Sequence, residues 1–230
     1  MRTLGLLGGM SWESSAHYYR IINEEVRWRL GGSHSAACLL LSVDFAEIAA
    51  LQHAGDWAAL GRRLQDHARQ LAAGGAEGLV LCTNTMHCLA AELEAATPLP
   101  LLHIADPTGA AIRAQGLQTL GLLGTAFTME QAFYRQRLTE TFGLQVLVPA
   151  PARRQTVHRI IYEELVRGEI RADSREAYRE IIAELVAQGA EAIVLGCTEI
   201  MLLVDQSDST VPLFDTTRLH ALAAVDWALA

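Results

Sequence analysis

The feature that most limits what this chain can fold into is that it repeats itself. LGLLGG at residues 4–9 returns as LGLLGT at 120–125, and GAEGLVLCTNT at 75–85 returns as GAEAIVLGCTE at 189–199. Order and spacing are both kept, since Gly8 to Thr83 spans 75 positions and Gly124 to Cys197 spans 73. A third pair, PLPLLHIAD at 98–106 and VPLFDT at 211–216, follows. Such self-similarity predicts two halves built alike.

Each half alternates short apolar runs with helical periodicity. Strands are expected at Thr3 to Leu7, Ala37 to Val43, Leu79 to Cys82 and Leu101 to Ile104, and again at Thr119 to Leu123, Leu144 to Val148, Ala192 to Gly196 and Val211 to Phe214. Tyr18, Ile22, Val26 and Leu30 recur every four residues, which predicts a first helix; others are expected near 58–73, 128–141, 154–167 and 173–188. Thr128 to Gln131 and Asp173 to Glu176 have capping-box spacing. The βα rhythm predicts an α/β fold with two pseudo-symmetric lobes, each a four-stranded, mainly parallel sheet flanked by helices. Ligands of such sheets sit beyond the carboxyl ends of the strands. The expected site is therefore an interlobe cleft receiving Gly8 to Ser11, Thr83 to Thr85, Thr125 to Thr128 and Cys197 to Glu199.

Composition removes several function classes. With 18 basic and 26 acidic side chains the net charge is -8, which argues against nucleic-acid and membrane partners. Every basic residue is Arg, so no Lys is present to form a Schiff base with pyridoxal phosphate or to serve as a Walker-type phosphate ligand. No apolar run approaches the roughly 18 residues of a membrane helix. The four cysteines lack CxxC spacing, and the only early apolar run is residues 4–9, which together predict a reduced, cytoplasmic protein. His87 has no second histidine at ligand spacing, so no metal is expected.

Among the cysteines, Cys38 and Cys88 have no duplicated partner and read as packing residues. Cys197 taken alone would read the same way, because Cys behaves as a small hydrophobe. The duplication makes it a candidate instead. A gap-free alignment of Gly75 onto Gly189 sets Thr83 against Cys197, Asn84 against Thr198 and Thr85 against Glu199, while Cys82 meets Gly196. Successive strand side chains alternate between faces, so Cys82 and Thr83 cannot both face the cleft. Gly8 to Ser11 reads either as a backbone cradle for an anion or as a tight turn capped by Ser11. His87 either assists in the cleft or is structural, and Trp12, Tyr18 and Tyr19 either wall the cleft or pack the first helix. Asp106, ahead of Pro107, is expected to cap a helix.

LLGGM, TNTMH, the GT turn opening the second half and GCTE together resemble the aspartate/glutamate racemase family over essentially the whole chain. The resemblance implies a cofactor-independent racemase of aspartate and/or glutamate that works as a homodimer, with two thiols exchanging the α-proton from opposite faces. It also implies a discontinuous first lobe, 1–106 plus 217–230, against 107–216. Where the family reads Cys-Asn-Thr, this chain has Thr83-Asn84-Thr85, so one expected thiol is a hydroxyl. Cys197 then becomes the expected base and Thr83 the expected proton donor, since an alcohol is a far weaker acid than a thiol. Expected substrate contacts are Met10, Gln52, Asn84, Thr85, Thr125, Thr128, Thr198 and Glu199, with Glu199 either binding the substrate ammonium or complementing a helix dipole. Gln52 stands in for the Arg that aspartate-specific members carry after the second strand. Hydantoin racemase, maleate isomerase or decarboxylase chemistry, or binding without turnover, are the alternatives.

Overall fold

In a computed structural model describing residues 1–230, the chain separates into two compact units, Met1–His103 with His220–Ala230, and Ile104–Leu219. The first carries β1 (Leu4–Gly8), α1 (Trp12–Leu30), β2 (Cys38–Ser42), α2 (Phe45–Ala54), α3 (Trp57–Ala73), β3 (Gly78–Leu81), a 3-10 turn (Thr85–Leu89), α4 (Ala90–Ala96) and β4 (Leu101–Leu102). The second carries α5 (Ala105–Ala114), β5 (Thr119–Gly124), α6 (Ala126–Glu130), α7 (Ala132–Phe142), β6 (Gln145–Leu147), α8 (Pro151–Glu163), α9 (Ala172–Ala187), β7 (Ala192–Gly196), α10 (Ile200–Leu203) and β8 (Leu213–Asp215). Helix α11 (Thr216–Leu229) starts in the second unit and ends in the first.

Both sheets have four parallel strands in the same order, β2-β1-β3-β4 and β6-β5-β7-β8. The duplicated runs thus become the paired central strands of each sheet, β1 with β3 and β5 with β7. Small residues let helices and strands close on them. A Cβ at Gly5 would stand 2.8 Å from that of Ala76, and one at Gly121 would stand 2.7 Å from Ile193 Cδ1.

Each sheet is buried on both faces, which is why its strands are continuous apolar runs. In the first unit Leu7, Leu79 and Leu81 pack toward Leu60, Leu64 and Ala68 of α3, while Leu4, Leu6 and Val80 pack toward α1 and α11. In the second, Leu123, Ile193 and Leu195 meet α8 and α9, while Leu120, Leu122 and Val194 meet α5 and α7.

Several local expectations change. The helix expected at 128–141 is two helices, because Gln131 between them has an extended backbone, and Thr125 rather than Thr128 caps the first, its Oγ1 accepting the Thr128 N–H at 3.3 Å. Asp173 lies inside α9, whose cap position is Arg171, and its carboxylate accepts from the next residue, Ser174, at 2.9 Å. Asp106 sits in the first turn of α5 without capping it, and instead binds Arg137 through two hydrogen bonds of 2.6 and 2.7 Å. Asp215 does cap, accepting from the N–H groups of Thr217 and Arg218. Of the stripe on α1, Leu30 is exposed at the helix end while Tyr18, Ile22 and Val26 are fully buried. Helix α2 had no counterpart in the periodicity, being only ten residues long and apolar on most sides.

Candidate active site

In the first unit the β1–β3 pairing sets two turns side by side, with the Cys82 N–H donating to Leu7 O at 2.9 Å. Ser11 caps α1, accepting from Ser14 N–H at 3.3 Å, as one reading of that turn anticipated. The Gly9 N–H is already engaged by Ser15 Oγ at 2.7 Å, so it serves the turn and not a bound anion. Met10 is buried in the apolar cluster of Leu7, Ile48 and Met86. Tyr18 is core, whereas Trp12 and Tyr19 are exposed.

Strand alternation decides between Cys82 and Thr83. Cys82 follows Val80 into the cluster against α1 and α11, is fully buried, and has its thiol pushed far up by that burial. It is a packing residue. Thr83 follows Leu79 and Leu81 in phase, and with Asn84 and Thr85 it is buried at the end of β3. Gln52 on α2 is buried as well, while its neighbour His53 is exposed and bonds to Ala49 O. Cys88 is half-buried, its thiol pushed up to about 12 chiefly by desolvation.

In the second unit the β5–β7 pairing brings the Thr125 turn beside Cys197. Gly124 and Gly196 are partners, and a Cβ on Gly124 would meet Gly196 O at 2.8 Å, so two glycines allow the strand ends to close. Thr125 and Thr128 are buried with their hydroxyls 3.2 Å apart. Cys197 continues the face of Ile193 and Leu195 and is 8% exposed. Its thiol donates to Glu199 Oε2 at 3.0 Å, and the Thr198 hydroxyl donates to the same oxygen at 2.8 Å. Burial first, then the Glu199 charge, holds the Cys197 thiol well above its ordinary range. Glu199 occupies the cap position of α10 but makes no capping bond, so its carboxylate serves the thiol and Thr198.

Other residues here escaped the sequence reading. Tyr162 and Tyr178 pack in the cluster that holds Cys197, and each phenol is pushed up first by burial and then by the Cys197 and Glu199 charges. His158 accepts the Ala126 N–H on Nδ1 at 3.1 Å, tying α8 to the Thr125 turn. In the first unit the rings of His103 and His220 flank His87, and Tyr18 meets His220 in turn. Helical spacing marks the tyrosines only as core; nothing in it marks their neighbours. No group of three or more His, Cys, Asp or Glu side chains is placed to hold a metal ion, and no helix is long and apolar enough to cross a membrane.

A profile of the Asp/Glu/Hydantoin racemase family matches residues 7–224. The chain belongs to that family. This racemase-family chain is similar over its full length to a provisionally assigned Asp/Glu racemase of Yersinia pestis, whose crystal structure is 55% identical with a TM-score of 0.93 and full coverage of both chains. It is likewise similar to an aspartate racemase homologue of Pyrococcus horikoshii OT3, 30% identical with a TM-score of 0.85, again covering both chains completely. The broad specificity amino-acid racemase RacX of Bacillus subtilis (strain 168) is 26% identical over 165 residues, 72% of this chain and 70% of that protein. Family and neighbours together support amino-acid racemase activity.

Proposed function

We propose that the protein is a cofactor-independent racemase of aspartate and/or glutamate in which Cys197 and Thr83 act on opposite faces of the α-carbon. The observation that carries this reading is the 3.0 Å contact from the Cys197 thiol to Glu199 Oε2. A buried thiol whose ionisation is pushed up cannot rest as thiolate at neutral pH. It needs an acceptor for its proton, and Glu199 is already hydrogen-bonded to it. As the thiol proton passes to Glu199, sulfur takes the α-proton of the substrate and the bonding pair stays on the α-carbon. Thr83 delivers its hydroxyl proton to the other face and regains one from solvent, and Glu199 releases the proton it took to solvent, which restores the starting state.

Asn84, Thr85 and Thr198 are the polar groups we assign to the α-carboxylate, where donors stabilise the charge that develops on proton removal. The Thr125 and Thr128 hydroxyls add to them, and Met10 borders the pocket through the core it packs in. Gln52 is assigned to the side-chain carboxylate. Its amide is neutral, which favours a looser preference among acidic substrates than a guanidinium would impose, in keeping with the broad specificity in the name of the Bacillus relative. We expect a cytoplasmic homodimer that yields D-amino acids from L-amino acids.

Chiral chromatography tests the assignment. Wild type is expected to interconvert the enantiomers of aspartate or glutamate without added cofactor, Cys197→Ser is expected to be inactive, and no interconversion of either amino acid by wild type contradicts the proposal.

A further inference from the structure

His87 lies four residues beyond Thr83 and turns back on it, its Nδ1 standing 2.8 Å from Thr83 O. A carbonyl only accepts, so Nδ1 carries the proton and donates. On the other side of the same residue, the Thr83 N–H donates to Leu81 O at 2.8 Å. Both polar groups of the Thr83 backbone are therefore held, one by the chain and one by an imidazole.

That imidazole is itself flanked by two other histidine rings. It is 2% exposed, with the His103 ring centroid 4.5 Å away and that of His220 5.8 Å away. His220 Nε2 is 2.6 Å from Leu102 O, which again fixes a proton on nitrogen, and its Nδ1 then accepts from the Tyr18 hydroxyl at 2.9 Å. The ring of His87 is thus packed against the residue that follows β4 and against α11, whose His220 is held in turn by Tyr18 of α1.

The second half of the duplication solves the same problem differently. There the Cys197 carbonyl accepts from the backbone N–H of Ile200 at 3.2 Å, and the residue matching His87 is Met201. The imidazole is thus a device of the half in which a hydroxyl replaces a thiol.

We propose that His87 is a positioning residue for Thr83: its Nδ1–H fixes the Thr83 carbonyl and thereby aims the hydroxyl at the reacting carbon. The proposal rests on Thr83 being the proton donor. For the enantiomer whose α-proton faces Cys197, the action of His87 is confined to the delivery step, because removal there belongs to Cys197.

3-Chloroaspartate separates the two steps. Once the α-proton is gone, the electron pair on carbon expels chloride and forms the unsaturated amino acid, with no proton delivered by Thr83. His87→Leu is expected to lower kcat for racemisation about 100-fold, the scale of a misplaced reacting group, with KM within about threefold of wild type. Its chloride release from the responsive enantiomer is expected to stay at the wild-type rate. His87→Asn, whose side-chain N–H can reach the same carbonyl, is expected to recover at least about tenfold of the lost kcat. Wild-type racemisation by His87→Leu, parallel loss of chloride release, or no recovery in His87→Asn overturns the proposal. If His87→Leu does not fold, an inactive but folded His87→Asn overturns it equally. Wild-type chloride release by Cys197→Ser is a different failure, because it removes the assignment of the base on which the proposal depends.

Discussion

The Cys197 thiol and the Glu199 carboxylate share a hydrogen bond of 3.0 Å in a buried environment, and both the charge and the bond favour the protonated thiol. Glu199→Gln removes the charge and weakens the acceptor, leaving the Thr198 and Glu199 backbone donors that pull the thiol down. The thiol pKa should therefore fall in the variant. At pH 8, iodoacetamide should modify Cys197 faster in Glu199→Gln than in wild type, while racemisation drops by about 100-fold or more for want of a proton acceptor. Alkylation rates against pH, with turnover measured on the same samples, check both.

Neighbouring residues at the end of β3 should behave oppositely. Cys82→Ala should keep racemase activity and lose about 1–2 kcal/mol of stability through the lost packing of a fully buried side chain. Thr83→Ala should abolish product formation. Because an alcohol donates a proton to a carbanion more readily than its scarcely populated alkoxide can abstract one, the two directions should differ in kcat in wild type. Thr83→Cys should shrink that difference, as progress curves from each pure enantiomer would show.

Gly9 has φ +88°, and a Cβ there would stand 2.3 Å from the backbone N and O of Val43. Neither the positive dihedral nor a backbone atom can yield cheaply. Gly9→Ala should cost at least about 2 kcal/mol, lowering Tm by several degrees in calorimetry.

Burial raises Cys82 and Cys197 above the ordinary thiol range and Tyr134, Tyr162 and Tyr178 above the ordinary phenol range. A group with a raised folded pKa contributes stability that is complete below its unfolded pKa and lost as pH rises past it. Denaturant midpoints should hold steady up to about pH 9 and then fall, each buried thiol contributing a slope of about 1.4 kcal/mol per pH unit. Cys82→Ala should reduce that slope by one group.

What could be read from the chain alone was what depends on local pattern. Eight apolar runs gave eight strands, and the duplication placed Thr83 and Cys197 at equivalent strand ends with Cys82 turned away. Caps were less legible, since Thr128 and Thr125 carry the same hydroxyl three residues apart and only the backbone path tells which of them caps. The surroundings of His87 were not legible, because Tyr18 and Leu102 lie 202 and 118 residues from His220. Tyr178 looked like any apolar-face residue of α9, and its proximity to Cys197 arises from packing across the cluster.

The central claim is that Cys197 removes the α-proton, and proton NMR in D2O observes that event directly. With L-aspartate or L-glutamate, wild type should replace the α-proton signal by deuterium as the D-enantiomer appears, and Cys197→Ser should leave it intact. Exchange by Cys197→Ser at the wild-type rate, or no exchange of either amino acid by wild type, would contradict the account.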